Sequence, residues 1–138
     1  MKIDKRDRVF SLLVRERAGW VCEACGKHYE PGSQGLHCSH LVSRRYQSTR
    51  HHPLAAAAHC FACHQRLGGN PLDFSDWIRD HLGAEKTAEL MALKNTLCKR
   101  SKTEKEEQYQ HLKKQYNIIL EKRKQGETGR IEFDAYER

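Results

Sequence analysis

The chain has 138 residues, of which 38% are hydrophobic and 31% charged, with a formal net charge of +7 and a pI of about 9.2. So few apolar residues exclude a large apolar core; the expectation is one small domain, residues 1–138, held by an additional staple. No apolar run approaches the length of a membrane span, so no membrane partner is expected, and the basic balance points to a polyanion, nucleic acid being the commonest.

The charged start, Met1 to Arg8, lacks the apolar stretch of a signal peptide, which makes reducing cytoplasm the expected compartment. Asp7 to Ala18 carries Val9, Phe10, Leu13 and Val14 on one face and stops at Gly19; this predicts an N-terminal helical segment over 1–19. Residues 20–70 differ in character. They hold five of the nine glycines and seven of the nine histidines, and read as loops, short strands and one short helix around a metal. Leu36 to Val42 is predicted as a hairpin strand whose partner lies near Val21 or Lys27 to Tyr29.

Asn70-Pro71 reads as an N-cap followed by proline at the first helical position. The helix is expected to run to Leu82, stop at Gly83, and face Phe74, Trp77, Ile78 and Leu82 inward. Ala84 to Leu97 repeats the pattern with Ala88, Leu90, Met91 and Leu93. A basic joint at Lys99, Arg100 and Lys102 leads to a long helix, Glu104 to Lys124, with Tyr109, Leu112, Tyr116 and Ile119 at three-four spacing. That stripe has two readings: packing against the helices at 71–97, which is preferred, or pairing with a second subunit as a homodimer. The helical extension spans 71–125, and the tail, 126–138, carries no assignable pattern.

Cys22-Glu23-Ala24-Cys25 and Cys60-Phe61-Ala62-Cys63 are two Cys-x2-Cys turns separated by 34 residues. Two residues between thiolates let both sulfurs of a turn face one ion, and a matched pair supplies the four soft ligands of tetrahedral Zn2+. A structural zinc on these four cysteines would also supply the folding free energy that the polar segment lacks. Cys38 and Cys98 read as ordinary buried thiols.

Between the turns lies Leu36-His37-Cys38-Ser39-His40, and His64 follows the second turn directly. This order of a Cys-x2-Cys turn, a histidine ending a strand, a loop, and a second turn followed by histidine resembles the HNH (ββα-metal) nucleases. It resembles more narrowly the NinG/Rap recombination nucleases of lambdoid phages. Arg50 before the second turn, Leu67-Gly68-Gly69-Asn70 opening a helix, and a final lysine-rich helix follow that family's order over roughly residues 20–124, without its long basic N-terminal extension. The resemblance implies an α+β fold, a small zinc-stapled ββα-metal core with an N-terminal helix and a C-terminal helical extension. It implies a metal-dependent DNA endonuclease acting on branched, Holliday-type DNA in phage recombination, within a bacterial host cell.

Phosphodiester hydrolysis needs a base for water, which imidazole suits near neutrality. It also needs a divalent cation for the leaving oxygen. The resemblance puts His40 in the role of base, and His64 as ligand to a catalytic Mg2+ or Mn2+, with His37 able to reach the same metal. His59 reads as a support for the metal or a DNA contact, and His51 and His52 as loop residues.

The family's asparagine falls nine residues before His64, where this chain has Ala55, within Ala55 to Ala58. Ser39 stands where many relatives have aspartate or histidine. The chain then is a degenerate copy, a variant disabled by an Asn→Ala change, or one in which another side chain substitutes. The expectation is weak or no cleavage, restored by Ala55→Asn. For DNA contacts the candidates are Arg44, Arg45 and Arg50 in the loop, suited to phosphate clamping, with Lys99, Arg100 and Lys113 in the basic stretch 99–124. The alternative function is a non-catalytic zinc-containing DNA-binding module; a zinc-scaffolded protein-interaction domain is the third reading.

Overall fold

The structure, a computed structural model, describes residues 1–137. It is α+β, with five helices and one two-stranded antiparallel sheet. Helix α1 (Lys5–Arg17) begins at a reciprocal cap: the Asp4 carboxylate accepts from the backbone N–H groups of Arg6 and Asp7, and the Asp7 carboxylate accepts from Asp4 N. It ends where Gly19 and Trp20 take successive left-handed conformations, φ 66° and 62°. The indole of Trp20 donates to Glu16 at 2.7 Å, which offsets the strain of a bulky residue there.

Strand β1 (Leu36–His40) pairs with β2 (Ala56–Cys60) in the register Leu36↔Cys60 to His40↔Ala56. This corrects the expected partner. Val21 and His28 instead bridge each other across the first cysteine turn, where Gly26 supplies a φ of 80°. Helix α2 (Phe61–Gly68) leaves β2 directly.

Ala55 to Ala58 are all buried, at 0–2% exposure. β2 has no solvent face. Ala56 joins the cluster formed with α1, Ala58 the one around Trp20 and the cysteine turns, and Ala55 and Ala57 the one with Leu41, Ile78 and Leu90. Small side chains let both layers approach the strand closely, which gives the alanine run a packing reason.

Helices α3 (Pro71–Leu82) and α4 (Ala84–Lys94) begin and break where Pro71 and Gly83 predict, with Gly83 at φ 83° between them, but Asn70 makes no side-chain cap: its amide donates to Arg66 O instead. Ile78 and Leu90 are buried, with Phe74, Trp77 and Leu82 packed beside them. Leu97, expected within the second helix, lies beyond its end and is fully exposed.

Helix α5 (Lys102–Lys124) is capped by Ser101, whose Oγ accepts from Glu104 N. Its apolar stripe packs against α1, not against α3 and α4: Leu112 and Ile119 are buried with Val9, Phe10, Leu13 and Val14, and Tyr109 and Tyr116 flank them. The stripe is thus covered within the chain. The unassigned tail completes this core through Ile131 and Phe133, each 5% exposed. Among the described residues, no helix is long and apolar enough to cross a membrane.

Candidate metal centre and adjoining cleft

The sulfurs of Cys22, Cys25, Cys60 and Cys63 all lie within 4.8 Å of one another. The Cys25–Cys60 separation is 3.8 Å, close to the edge of about 3.8 Å that a tetrahedron of ~2.3 Å zinc–sulfur bonds requires. All four thiols are free of disulfides. The donor set is soft and four in number, and therefore fits Zn2+. Burial pushes the Cys63 thiol up, reinforced by its sulfur neighbours, whereas hydrogen bonds from Cys63 and the other thiols bring Cys60 below its ordinary range against the effect of burial. Four crowded thiols cannot all ionise without a cation between them.

The two turns are joined through the sheet. Glu23, inside the first turn, donates its N–H to Ala58 O at 2.8 Å, and its carboxylate accepts from Ala58 N at 2.7 Å. The same carboxylate is ion-paired with Arg130 of the tail. Cys38 and Cys98 lie outside the cluster and are only partly buried; burial pushes the Cys38 thiol up to about 12, so it stays protonated.

Beside this centre is a cleft of about 790 Å³, bounded by α1, β1 and α2. His40 from the end of β1 and His64 from α2 both line it, as does Arg44 from the following loop. Helix α1 adds Asp7, Arg8 and Arg15. The two arginines and Ser11 lie at spacings of three and four, so they share one face of α1.

His40 Nε2 is buried and has no hydrogen-bond partner. Burial, with Arg44 nearby, lowers its pKa to about 4, so the ring is neutral at pH 7 with one nitrogen lone pair uncommitted. His64 Nδ1 and Ser39 Oγ share a 2.6 Å hydrogen bond. The ring of His37 stacks on His64 with centroids 5.5 Å apart and planes 5° apart, and burial holds His37 below its ordinary pKa. His37 and Ser39 are thus brought against His64, which lines the same cleft as His40.

Several candidates fall elsewhere. Ala55 is fully buried in the apolar cluster with Leu41, Ile78 and Leu90, and does not line the cleft. Arg50 is buried and binds Asp7 through both Nε (2.9 Å) and Nη2 (2.6 Å), so its guanidinium is not presented to a phosphate. His51, expected in a loop, is buried too, with Nε2 2.8 Å from Asp7. His52 Nδ1 accepts from Leu54 N. His59 is wholly buried edge-on against Trp77, ring centroids 4.5 Å apart, and makes no surface for DNA.

Arg45 is exposed and lies over the Tyr46 ring. Arg100 lies over Tyr136 and 3.9 Å from Glu104, far along the chain from the cleft. Lys99 and Lys113 are exposed, Lys113 over the ring of Tyr109. None of these three, nor Arg45, lines the cleft.

Comparison of the chain with protein-family models, with curated proteins and with solved structures finds no match.

Proposed function

We propose that the chain is a zinc-stapled DNA endonuclease of the HNH (ββα-metal) kind, in which His40 is the general base. One observation carries the reading: His40, whose burial keeps its ring neutral at pH 7, lines a cleft that also holds Arg8, Arg15 and Arg44, and its Nε2 lies buried without a partner. A neutral imidazole takes a proton from water that reaches it, and three arginines lining the same cleft suit a phosphodiester. Order of elements supports the reading as well, since β1, β2 and α2 form a hairpin followed by a helix, with His40 and His64 lining one cleft.

For the catalytic cation, the cleft offers His64, with His37 and the Ser39 hydroxyl beside it. Its one carboxylate, Asp7, is already engaged by Arg50 and His51. Imidazole-rich sites suit Mn2+ better than Mg2+, which wants oxygen ligands. These residues therefore do not fit Mg2+; a bound Mn2+ would take up negative charge at the phosphate and leaving oxygen.

The same shortage of carboxylates favours a second reading, a zinc-bearing DNA-binding module without catalysis. The experiment that decides is cleavage of linear duplex, flap and four-way-junction DNA by purified protein under Mn2+ and Mg2+, alongside His40→Gln. Mn2+-dependent nicking lost in His40→Gln supports the nuclease, and preference for the junction supports a role in recombination of phage DNA. Tight, salt-sensitive binding without nicking establishes the second reading.

A further inference from the structure

Helix α1 presents a row of uncommitted donors to the cleft. Arg8, Ser11 and Arg15 all line it. Arg8 is exposed, and Ser11 and Arg15 are half-buried. Arg15 is oriented from two sides: its Nε donates to Ser11 O at 3.1 Å, and its Cζ lies 5.0 Å from the centre of the Trp20 ring. Trp20 is itself tied to Glu16. The Nε bond draws the guanidinium back along α1 toward Ser11 and leaves both terminal nitrogens uncommitted. Among the described residues, the Ser11 hydroxyl and the Arg8 guanidinium have no hydrogen-bond partner either.

The charge of this face is not balanced within the chain. Arg6, Arg50, Arg100, Arg123 and Arg130 each lie against a carboxylate. Among the described residues, Arg8, Arg15 and Arg44 have none. The one carboxylate lining the cleft, Asp7, is taken by Arg50 and His51. Partial burial works against the Arg15 charge, and an anion seated on its free nitrogens relieves that cost.

We propose that Arg8, Ser11 and Arg15 form a phosphate seat on α1, with Arg15 as its two-pronged member, and that the seat holds a backbone phosphodiester of a DNA strand in the cleft lined by His40 and His64. This rests on the reading of that cleft as a DNA site. A guanidinium presents paired N–H groups that match two oxygens of one phosphate, and serine hydroxyls are common donors to DNA backbones. A lone carboxylate would accept the same fork, but the further cations, Arg8 and Arg44, suit the repeating charge of a strand. The seat lies on a helix outside the β1–β2–α2 unit, so the N-terminal helix sets the path of the strand and does not merely cover the core.

The test uses full-length, zinc-loaded protein and a fluorescein-labelled oligonucleotide, single-stranded and annealed, with affinity read by anisotropy over a range of salt. Arg8→Gln and Arg15→Gln should each weaken binding about tenfold at low salt and reduce the slope of log affinity against log salt by about 1. Ser11→Ala should weaken it about threefold without altering the slope. Arg79→Gln removes the same charge from an exposed position on α3, off the cleft, and should stay within about twofold of wild type. Arg15→Lys keeps the charge but not the fork, so it should hold the wild-type slope while losing about tenfold in single-turnover cleavage. Oligonucleotides with and without a terminal phosphate should bind alike; binding that depends on the terminal group overturns the assignment to an internal phosphodiester. Losses in Arg79→Gln equal to those in Arg8→Gln and Arg15→Gln mean that net charge alone binds DNA, and overturn the seat. Should Arg15→Gln lose zinc or its circular dichroism, the exposed Arg8→Gln decides. Losses confined to the α1 variants in a protein that never cuts DNA uphold the seat and refute the nuclease reading. Wild-type cleavage with α1 variants that bind and cut normally does the reverse.

Discussion

Glu23 and Ala58 hold each other by two hydrogen bonds in opposite senses, backbone to backbone and backbone to carboxylate. The pairing fastens the first cysteine turn to the middle of β2, two residues before the second turn begins. Glu23→Ala leaves a buried Ala58 N–H unpaired, a loss of about 1–3 kcal/mol. Urea denaturation should register that loss, and a competing chelator should strip zinc from the variant faster than from wild type. Equal chelation rates would show that the turn is held by sulfur alone.

Zinc should be present at one equivalent per chain by elemental analysis. Cys60→Ser or Cys63→Ser should abolish it, whereas Cys98→Ser should not. Removing the metal should unfold the β1–β2 hairpin, seen by circular dichroism, because the cluster around Trp20 and Leu36 is built on the same cysteines.

The His40 ring has its pKa lowered from 6.5 to about 4 by burial first and by Arg44 second. In acid the unfolded chain therefore takes up this proton before the folded one does. The associated stability is fully present above pH 6.5 and declines as pH falls toward about 4, by up to about 3 kcal/mol. His51 and His59 are shifted in the same sense, and zinc release adds to the trend, so the measurement is a difference. Denaturation midpoints of wild type and His40→Gln should converge between pH 7 and pH 4.5. Parallel curves would contradict the shift.

Arg44 and Arg50 both look like phosphate ligands in the sequence, and the structure separates them. Arg44→Ala should weaken DNA binding and reduce the slope of log affinity against log salt by about 1, leaving stability within about 0.5 kcal/mol. Arg50→Ala should act the other way, costing about 3 kcal/mol or more by stranding the buried Asp7 carboxylate. A titration at four salt concentrations, with thermal melts, distinguishes them.

Placing asparagine at position 55, as the resemblance to HNH nucleases suggests, should not produce cleavage. The position faces Leu41, Ile78 and Leu90, and an amide there is both oversized and unpaired, costing about 2 kcal/mol or more. A stable Ala55→Asn protein that cuts faster than wild type would show that the loop can turn this residue toward the cleft.

The elements that punctuation defines were legible. Pro71 and Gly83 bound α3, and paired Cys-x2-Cys turns converge on one point, because proline, glycine and thiolate spacing are local constraints. β2 was not legible: alanine has little strand propensity, and burial on both faces erases the alternation that marks a strand. The spacing of Leu112 and Ile119 showed an apolar face but could not say whether α1 or α3 covers it. For the cleft, His40 and His64 followed from the motif's order. Asp7, Arg8 and Arg15 did not, since they reach the cleft only through the packing of α1 on the sheet. Arg50 illustrates the converse: its charge suggested phosphate, and the partner that claims it lies 43 positions away.

Ile131 and Phe133 close the same apolar cluster that Val9, Phe10 and Leu13 open. On the ribosome this imposes a schedule. The cysteine turns can gather round a metal once Cys63 has emerged, but the greasy side of α1 must wait for about seventy further residues before its cover arrives. The nascent chain thus carries a complete set of cysteine ligands beside an unroofed helix, a stage at which a chaperone would have something to hold.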